Sequence, residues 1–307
     1  MNWRKGGRIF VPDGTLAWAH SHAAYPTPLV LPHGDLRLYL AFRDDRNVGS
    51  IGFIDVDPED PLRVLSVSKV PALSPGPAGS FDGNGLGPSS LVVENGAVRL
   101  YYFGFGPSPD GPFRLLTGMA TCQNGEDHLR RASSTPLLPP VPGEGTLRSA
   151  PFVLHEHGVW KMWYASGEGW VPAEGRQLPA CSIHYLTSQD GVAWSGSSTP
   201  CLRPTGPDEF QVGKPWVVHQ QGLYHMIYSI RMRSKGFRLG YARSVDGLTW
   251  ERRDAEVGID VSASGWDSEM ICYGAVHRVR DTWYMFYNGN RLGAGGVGFA
   301  TLEDGFA

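Results

Sequence analysis

The sequence predicts an all-β fold, a single five-bladed β-propeller with four-stranded blades, and three observations predict it. Apolar runs are short, β-branched or aromatic, and turn residues break them about every 8 to 12 positions, the habit of sheet proteins rather than of βαβ units. One aromatic alternation recurs five times along the chain. A strand-like N-terminal segment has no neighbour to pair with unless the last repeat supplies one.

The recurring alternation marks the second strand of each blade: 36–44, 98–106, 159–167, 223–231 and 282–290. Tyr39, Tyr101, Trp163, Ile227 and Phe286 sit at their centres, roughly 60 residues apart, a period that suits one four-stranded blade. Each is preceded by a short first strand entered through a small residue or proline, at 25–31, 87–93, 149–154, 213–218 and 272–277. Third strands follow, such as LLTGMATC and FRLGYARS, and two run into S-x-D-G-x-x-W turns, Ser188 to Trp194 and Ser244 to Trp250. Gly there accepts positive φ and Asp satisfies local donors.

Outer fourth strands fall near 63–70, 129–138, 193–202 and 249–258, and the fifth repeat has none. The segment GRIFVP (7–12) is therefore expected to add the outer strand of blade five and close the ring, which also removes an open sheet edge. The blades span about 20–75, 80–140, 146–203, 208–259 and 264–307 plus 7–12, one domain over 1–307. A pair of β-sandwiches is the alternative, and it gives no reason for a fivefold register.

A net charge of −3 provides no field to draw a polyanion, so nucleic acid is not an expected partner. The opening MNWRKGGRIFVPDG lacks the apolar stretch of a secretory signal, and no apolar run reaches membrane-spanning length, so a cytoplasmic protein with no membrane partner is expected. Cys122, Cys181, Cys201 and Cys272 lie far apart with no CxxC pair, which reads as buried free thiols rather than zinc ligands or a redox motif. No metal and no cofactor are expected.

In a propeller the first strands line the central channel, so polar residues just ahead of them converge. Blade one offers Trp18, His20, His22 and Tyr25; blade two Asp82 and Asn84; blade three Arg148; blade four Glu209 and Lys214; blade five Asp267, Glu269 and Tyr273. Second-strand ends add Arg43, Asp44, Glu168, Trp170, Arg231, Arg233, Asn288 and Asn290. Aromatics stack on sugar faces while amides and charges bond vicinal hydroxyls, so the set reads as a small-molecule site for a carbohydrate. His20 and His22 form an HxH pair that an extended strand would put on one face, read here as acid/base or hydrogen-bonding groups rather than metal ligands. The cations Arg43, Arg148, Lys214, Arg231 and Arg233 suggest an anionic glycosyl ligand: an acidic sugar, a sugar phosphate or a nucleotide sugar. The bland alternative pairs those cations with Asp44, Asp45, Glu209 and Asp267 as loop stiffeners.

The P-x-P-L-V strand, the S-x-D-G-x-x-W turns and the aromatic second strands together resemble the five-bladed propeller glycosidases of families 43, 32, 68 and 130. HSHAAYPTPLVL (20–31), FDGNGLGPSS (81–90), RSAPFV (148–153) and GWDSEMICYGAV (265–276) more closely resemble a propeller group associated with bacterial polysaccharide and sugar-metabolite gene clusters. The first resemblance implies a base Asp on blade one, a modulating Asp on blade two and an acid Glu on blade three. Here Tyr25 or Thr27 stands at the first position and Arg148-Ser149 at the third, leaving Asp82 as the one carboxylate counterpart.

Glycosyl cleavage ordinarily needs two carboxylates about 5 to 9.5 Å apart. The expected pair is Asp82 and Glu269, each in a Gly-flanked loop ahead of a first strand, with His22 as a further acid/base group. The expected function is thus a glycoside hydrolase-like enzyme with a relocated acid/base pair. A non-hydrolytic biosynthetic enzyme (transferase, lyase or cyclase) on the same scaffold and a non-catalytic sugar-binding propeller are the alternatives.

Overall fold

The computed structural model describes residues 1–307 except 110, 143, 146, 304 and 307; the last two fall in the expected fifth blade and lie outside the described residues. The chain is nearly all β, with three short 3-10 turns and no α-helix among the described residues. None of the described helices is long and apolar enough to cross a membrane.

Strand β1 (Arg4–Phe10) finds its partner at the far end of the chain. The next four, β2 (Ser21–Val30), β3 (Leu36–Arg43), β4 (Gly49–Val56) and β5 (Val64–Val67), pair antiparallel in sequence order. So do β6 (Leu86–Glu94), β7 (Ala97–Gly106), β8 (Arg114–Gln123) and β9 (Arg130–Arg131). A third group is β10 (Leu147–Glu156), β11 (Val159–Ala173), β12 (Arg176–Ser188) and β13 (Trp194–Leu202). A fourth is β14 (Glu209–Gln220), β15 (Leu223–Met232), β16 (Gly236–Ser244) and β17 (Glu251–Arg252). The last comprises β18 (Cys272–Val279), β19 (Thr282–Asn288) and β20 (Val297–Leu302), with β1 antiparallel beside β20.

Hydrogen bonding is not continuous from group to group. Parallel pairing at Leu147–Leu115, Arg148–Leu116 and Cys181–Gln211 joins the second, third and fourth groups, while the first and last form separate sheets. First strands pack on one another: β2 with β6, β6 with β10, β10 with β14, β14 with β18, and β18 with β2.

Three details differ from the sequence expectation. The N-terminal strand runs over Arg4–Phe10 rather than 7–12, since Pro12 has no N–H to give a ladder. The outer strands β9 and β17 are only two residues long. The β11–β12 hairpin extends to a turn at Glu174–Gly175, through a polar stretch holding Pro172 and Pro179 that gives no strand signal.

Two central residues of the second strands, Tyr101 and Trp163, tie successive groups together. Tyr39, Tyr101, Trp163, Ile227 and Phe286 are all fully buried. Tyr101 Oη donates to the carbonyl of Gly191 (2.9 Å), and Trp163 Nε1 donates to that of Gly247 (2.8 Å). Both glycines sit in the S-x-D-G turn of the next group, with φ of 73° and 75°. Ser188 Oγ accepts the Gly191 N–H (2.9 Å), and Asp190 Oδ1 accepts those of Val192 and Ala193 (2.8 Å each), so the turn that receives the Tyr101 hydroxyl is itself fixed.

On the third strands a glycine faces a bulky ring. A Cβ on Gly118 would lie 2.4 Å from Tyr102 Cζ, and one on Gly240 2.6 Å from the same atom of Tyr228. Both rings are buried and hydrogen-bonded through their hydroxyls, so neither can retreat. Gly118→Ala is expected to cost about 1–3 kcal/mol through overpacking, read by urea unfolding; an unchanged midpoint would show that the Tyr102 ring is free to move.

Candidate functional site

The five first strands all break register at one point: between Ala24 and Thr27, Pro88 and Ser90, Ser149 and Phe152, Gly213 and Trp216, and Cys272 and Ala275. Four of the breaks hold a non-glycine residue in the left-handed region: Tyr25 (φ 59°), Ala150 (49°), Lys214 (49°) and Tyr273 (59°). Such residues cost about 1–3 kcal/mol each and persist where the surroundings fix them. The second strand has Pro88 at the matching place, whose ring forbids positive φ. All four left-handed side chains line one central cavity of about 80 Å³, together with Phe103, Phe105, Ser149, Gln211, Ser229, Phe237 and others. Among the described residues no Asp or Glu lines it.

Lys214 is 2 % exposed, and its ammonium donates to the Ser89 carbonyl (2.7 Å), reaching from the fourth group to the second. Burial lowers its pKa to about 7. Tyr25 and Tyr273 tilt against each other with ring centroids 4.3 Å apart. Burial raises both phenols above their usual range. Asn288 sets Tyr25 by accepting its N–H (2.8 Å), and its own amide donates to Ala23 and Gly296, so this buried side chain is a brace. Ser229 Oγ accepts the Tyr273 N–H (2.9 Å).

Four of the expected site residues belong instead to a repeated pin inside the groups. In the second, Tyr102 Oη donates to Asp82 Oδ2 (2.9 Å), Arg131 Nε donates to the same oxygen (2.8 Å) and Ser80 donates to Oδ1 (3.0 Å). In the third, Glu144 accepts from Tyr164 (2.6 Å) and Arg148 (3.0 Å). In the fifth, Asp267 accepts from Tyr287 (2.9 Å) and from Lys5 of β1 (2.6 Å). In the fourth, Tyr228 donates to Asp254, and Arg252 joins Asp254 to Glu209. Burial works to raise the Glu144 carboxyl, but the Tyr164 hydrogen bond and Arg148 hold it below its usual value. Asp82, Arg148, Glu209 and Asp267 are thus engaged in these pins and do not line the central cavity.

The remaining expected residues scatter. The HxH geometry is corrected: His20 caps a 3-10 turn outside β2 in helical conformation, and His22 is left-handed (φ 61°), so the pair shares no strand face. His20 is exposed, whereas His22 is part-buried, bonded to Ser21 Oγ (2.9 Å), and depressed to about 4 by burial and by Arg43 and Arg291. Arg43 Nη1 donates to the Asn47 amide (2.8 Å). Asp44 caps its own turn through Arg46 and Val48, and Trp18 packs on Phe42 while donating to Lys69 (2.9 Å). Asn84 and Glu269 are exposed; Glu269 stands on a loop that Asn290 braces by accepting its N–H (2.8 Å). Glu168 accepts from Ser182 (2.7 Å) and Arg203, and Trp170 packs on Phe113. Arg231 forms a bidentate pair with Glu174 (3.1 and 2.7 Å), and Arg233 donates to Pro172 (2.8 Å), so both clamp the long β11–β12 hairpin.

Sequence reasoning missed Gln211, Glu174 and Arg291. Gln211 lines the cavity with its Oε1 buried and without a partner. Among the described residues no group of three or more His, Cys, Asp or Glu is placed to hold a metal ion.

No family model matches the chain. A GH130-family structure (that family of mannoside phosphorylases contains glycoside hydrolases that target beta-1,2 mannosidic linkages in Candida mannan) superposes with a TM-score of 0.76 at 14% identity, covering 99% of this chain and 94% of that one. A thermostable family-43 glycoside hydrolase gives 0.70 at 16% identity, covering 93% and 92%. At those identities the likeness shows the fold alone, one shared with these glycoside hydrolases. In sequence the chain is 36% identical over 304 residues to "Uncharacterized protein Rv1502" of Mycobacterium tuberculosis, covering 99% of this chain and 100% of that protein. With the match running end to end, the chain belongs to the same family as Rv1502.

Proposed function

We propose that the chain is one closed five-bladed propeller, residues 1–307, whose central mouth takes an acidic glycosyl compound and acts on it without a carboxylate pair. The β1–β20 pairing and the contact of β18 with β2 support the closed ring. The charge at the mouth carries the ligand assignment. Arg43 and Arg291 lie beside His22, and among the described residues neither forms an ion pair and no carboxylate lines the cavity.

Asp82 already accepts from Ser80, Tyr102 and Arg131, which argues against its serving as one half of a hydrolytic pair with the exposed Glu269. That favours transfer, elimination or carbonyl chemistry over hydrolysis.

A thermal-shift screen tests the ligand. Uronic acids, ulosonic acids and sugar phosphates are expected to raise stability, by about 2.7 kcal/mol at a hundredfold excess over Kd, and neutral sugars to leave it unchanged. Arg43→Ala is expected to weaken acidic-sugar binding about tenfold, the loss of one charge-assisted hydrogen bond. Equal stabilisation by neutral sugars, or no effect of Arg43→Ala, would overturn the acidic-ligand reading. Heavy oxygen from water in the product, with turnover lost in Asp82→Asn, would restore the relocated hydrolase.

A further inference from the structure

We propose that Lys214 is a carbonyl-reactive amine that forms an imine with the 2-oxo group of an open-chain acidic sugar bound at the central mouth. This rests on the reading of that mouth as an acidic-ligand site. Lys214 stands at the left-handed register break of β14, a strained position that aims its side chain into the cavity. In the third group the matching residue is Ala150, which lines the same cavity. An ammonium has three hydrogens to place. The described residues give it one acceptor, the Ser89 carbonyl, and no ion pair. The neutral amine, the nucleophilic form, fits that environment better, and burial favours it further, lowering the pKa to about 7.

The cavity's size limits what can enter. At about 80 Å³ it holds two or three waters by volume, enough for a carbonyl end but not for a sugar ring. A 2-oxo acid places its carboxylate one carbon from its carbonyl. That carboxylate therefore enters the cavity with the carbonyl, beside Tyr25 and Tyr273, and only a second anionic group farther along the chain can meet Arg43 and Arg291, which lie beside His22. The carbon that meets the amine is electrophilic.

The step balances without an oxidant. The Lys214 Nζ lone pair adds to the carbonyl carbon while the carbonyl oxygen takes a proton, and the carbinolamine then loses that oxygen as water as the C=N bond forms. Tyr25 and Tyr273 line the same cavity, and their hydroxyls are the groups there that can pass the proton.

The test uses the wild-type chain with glyoxylate, the smallest 2-oxo acid, and cyanoborohydride, which reduces an imine to a stable secondary amine. Peptide mapping then locates the added carboxymethyl group. Lys214 is expected to be modified at least about tenfold faster at pH 7 than the exposed Lys69 and Lys235. An acidic sugar that stabilises the chain is expected to protect it. Modification of Lys69 and Lys235 with Lys214 untouched, or at one common rate, would overturn the inference. Acidic-sugar stabilisation reads the mouth independently of this labelling. Its failure with Lys214 still labelled would sink the acidic-ligand reading and leave a reactive lysine; labelling failure alone would do the reverse.

Discussion

Replacing Arg131 by Leu is expected to lower stability by about 3–5 kcal/mol, because it strands a buried carboxylate. Asp82 is 1 % exposed, and Arg131 is its cation, at 2.8 Å. The Tyr102 and Ser80 hydroxyls remain after the substitution, but they bring no positive charge. Asp82→Asn in the Arg131→Leu background is expected to recover part of the loss, since an amide needs no counter-ion. Denaturant unfolding of the two single variants and the double variant gives the coupling. The result bears on function as well as folding. A loss under about 1 kcal/mol would mean that Asp82 tolerates its site without the cation, and a role as a proton donor would again be open to it.

The second large effect is expected at Trp163. Its ring is fully buried against Phe152, Tyr185, Tyr224 and Trp250, and its Nε1 reaches into the next repeat to bond Gly247. Trp163→Ala is expected to cost about 3–5 kcal/mol as a cavity. Trp163→Phe retains much of the ring and loses the hydrogen bond, so its cost is expected to be about 1–3 kcal/mol. Equal losses for the two variants would mean that the hydrogen bond, and not the packing, joins the repeats there.

Much of this architecture was legible in the sequence because it rests on period-two alternation. The central residues of β3, β7, β11, β15 and β19, four aromatics and Ile227, follow from the pattern, and all are buried at one register position. Alternation says nothing about a residue that leaves extended geometry, and there the site reading faltered. His22 and Lys214 both sit at positive φ, so neither side chain follows the strand rule, and one was over-read while the other was under-read.

The carboxylates ahead of the first strands were legible in principle by another route. Asp82, Glu144 and Asp267 each precede their tyrosine partner by 20 residues. That spacing, repeated in three groups, marks them as parts of the repeat and not of a ligand site. The fourth group departs from it: Asp208 holds the matching place ahead of Tyr228 but bonds Ser234, and Tyr228 turns to Asp254. The cations complete the pins from three different places, Arg131 on β9, Arg148 on β10 and Lys5 on β1, so no single spacing could have found them.

The pairing of β1 with β20 has a consequence in time. Strand β1 leaves the ribosome long before it can find its place, because its partner at Val297–Leu302 follows far later in the chain. At synthesis rates of about 5–20 residues per second, Arg4–Phe10 waits roughly 15–60 s with its ladder groups unpaired. A strand so exposed invites association with other chains, and its composition answers that hazard. Arg4, Lys5 and Arg8 repel like copies, and Gly6 and Gly7 weaken its intrinsic preference for a sheet. Lys5, which later neutralises Asp267, thus serves the nascent chain before it serves the folded one.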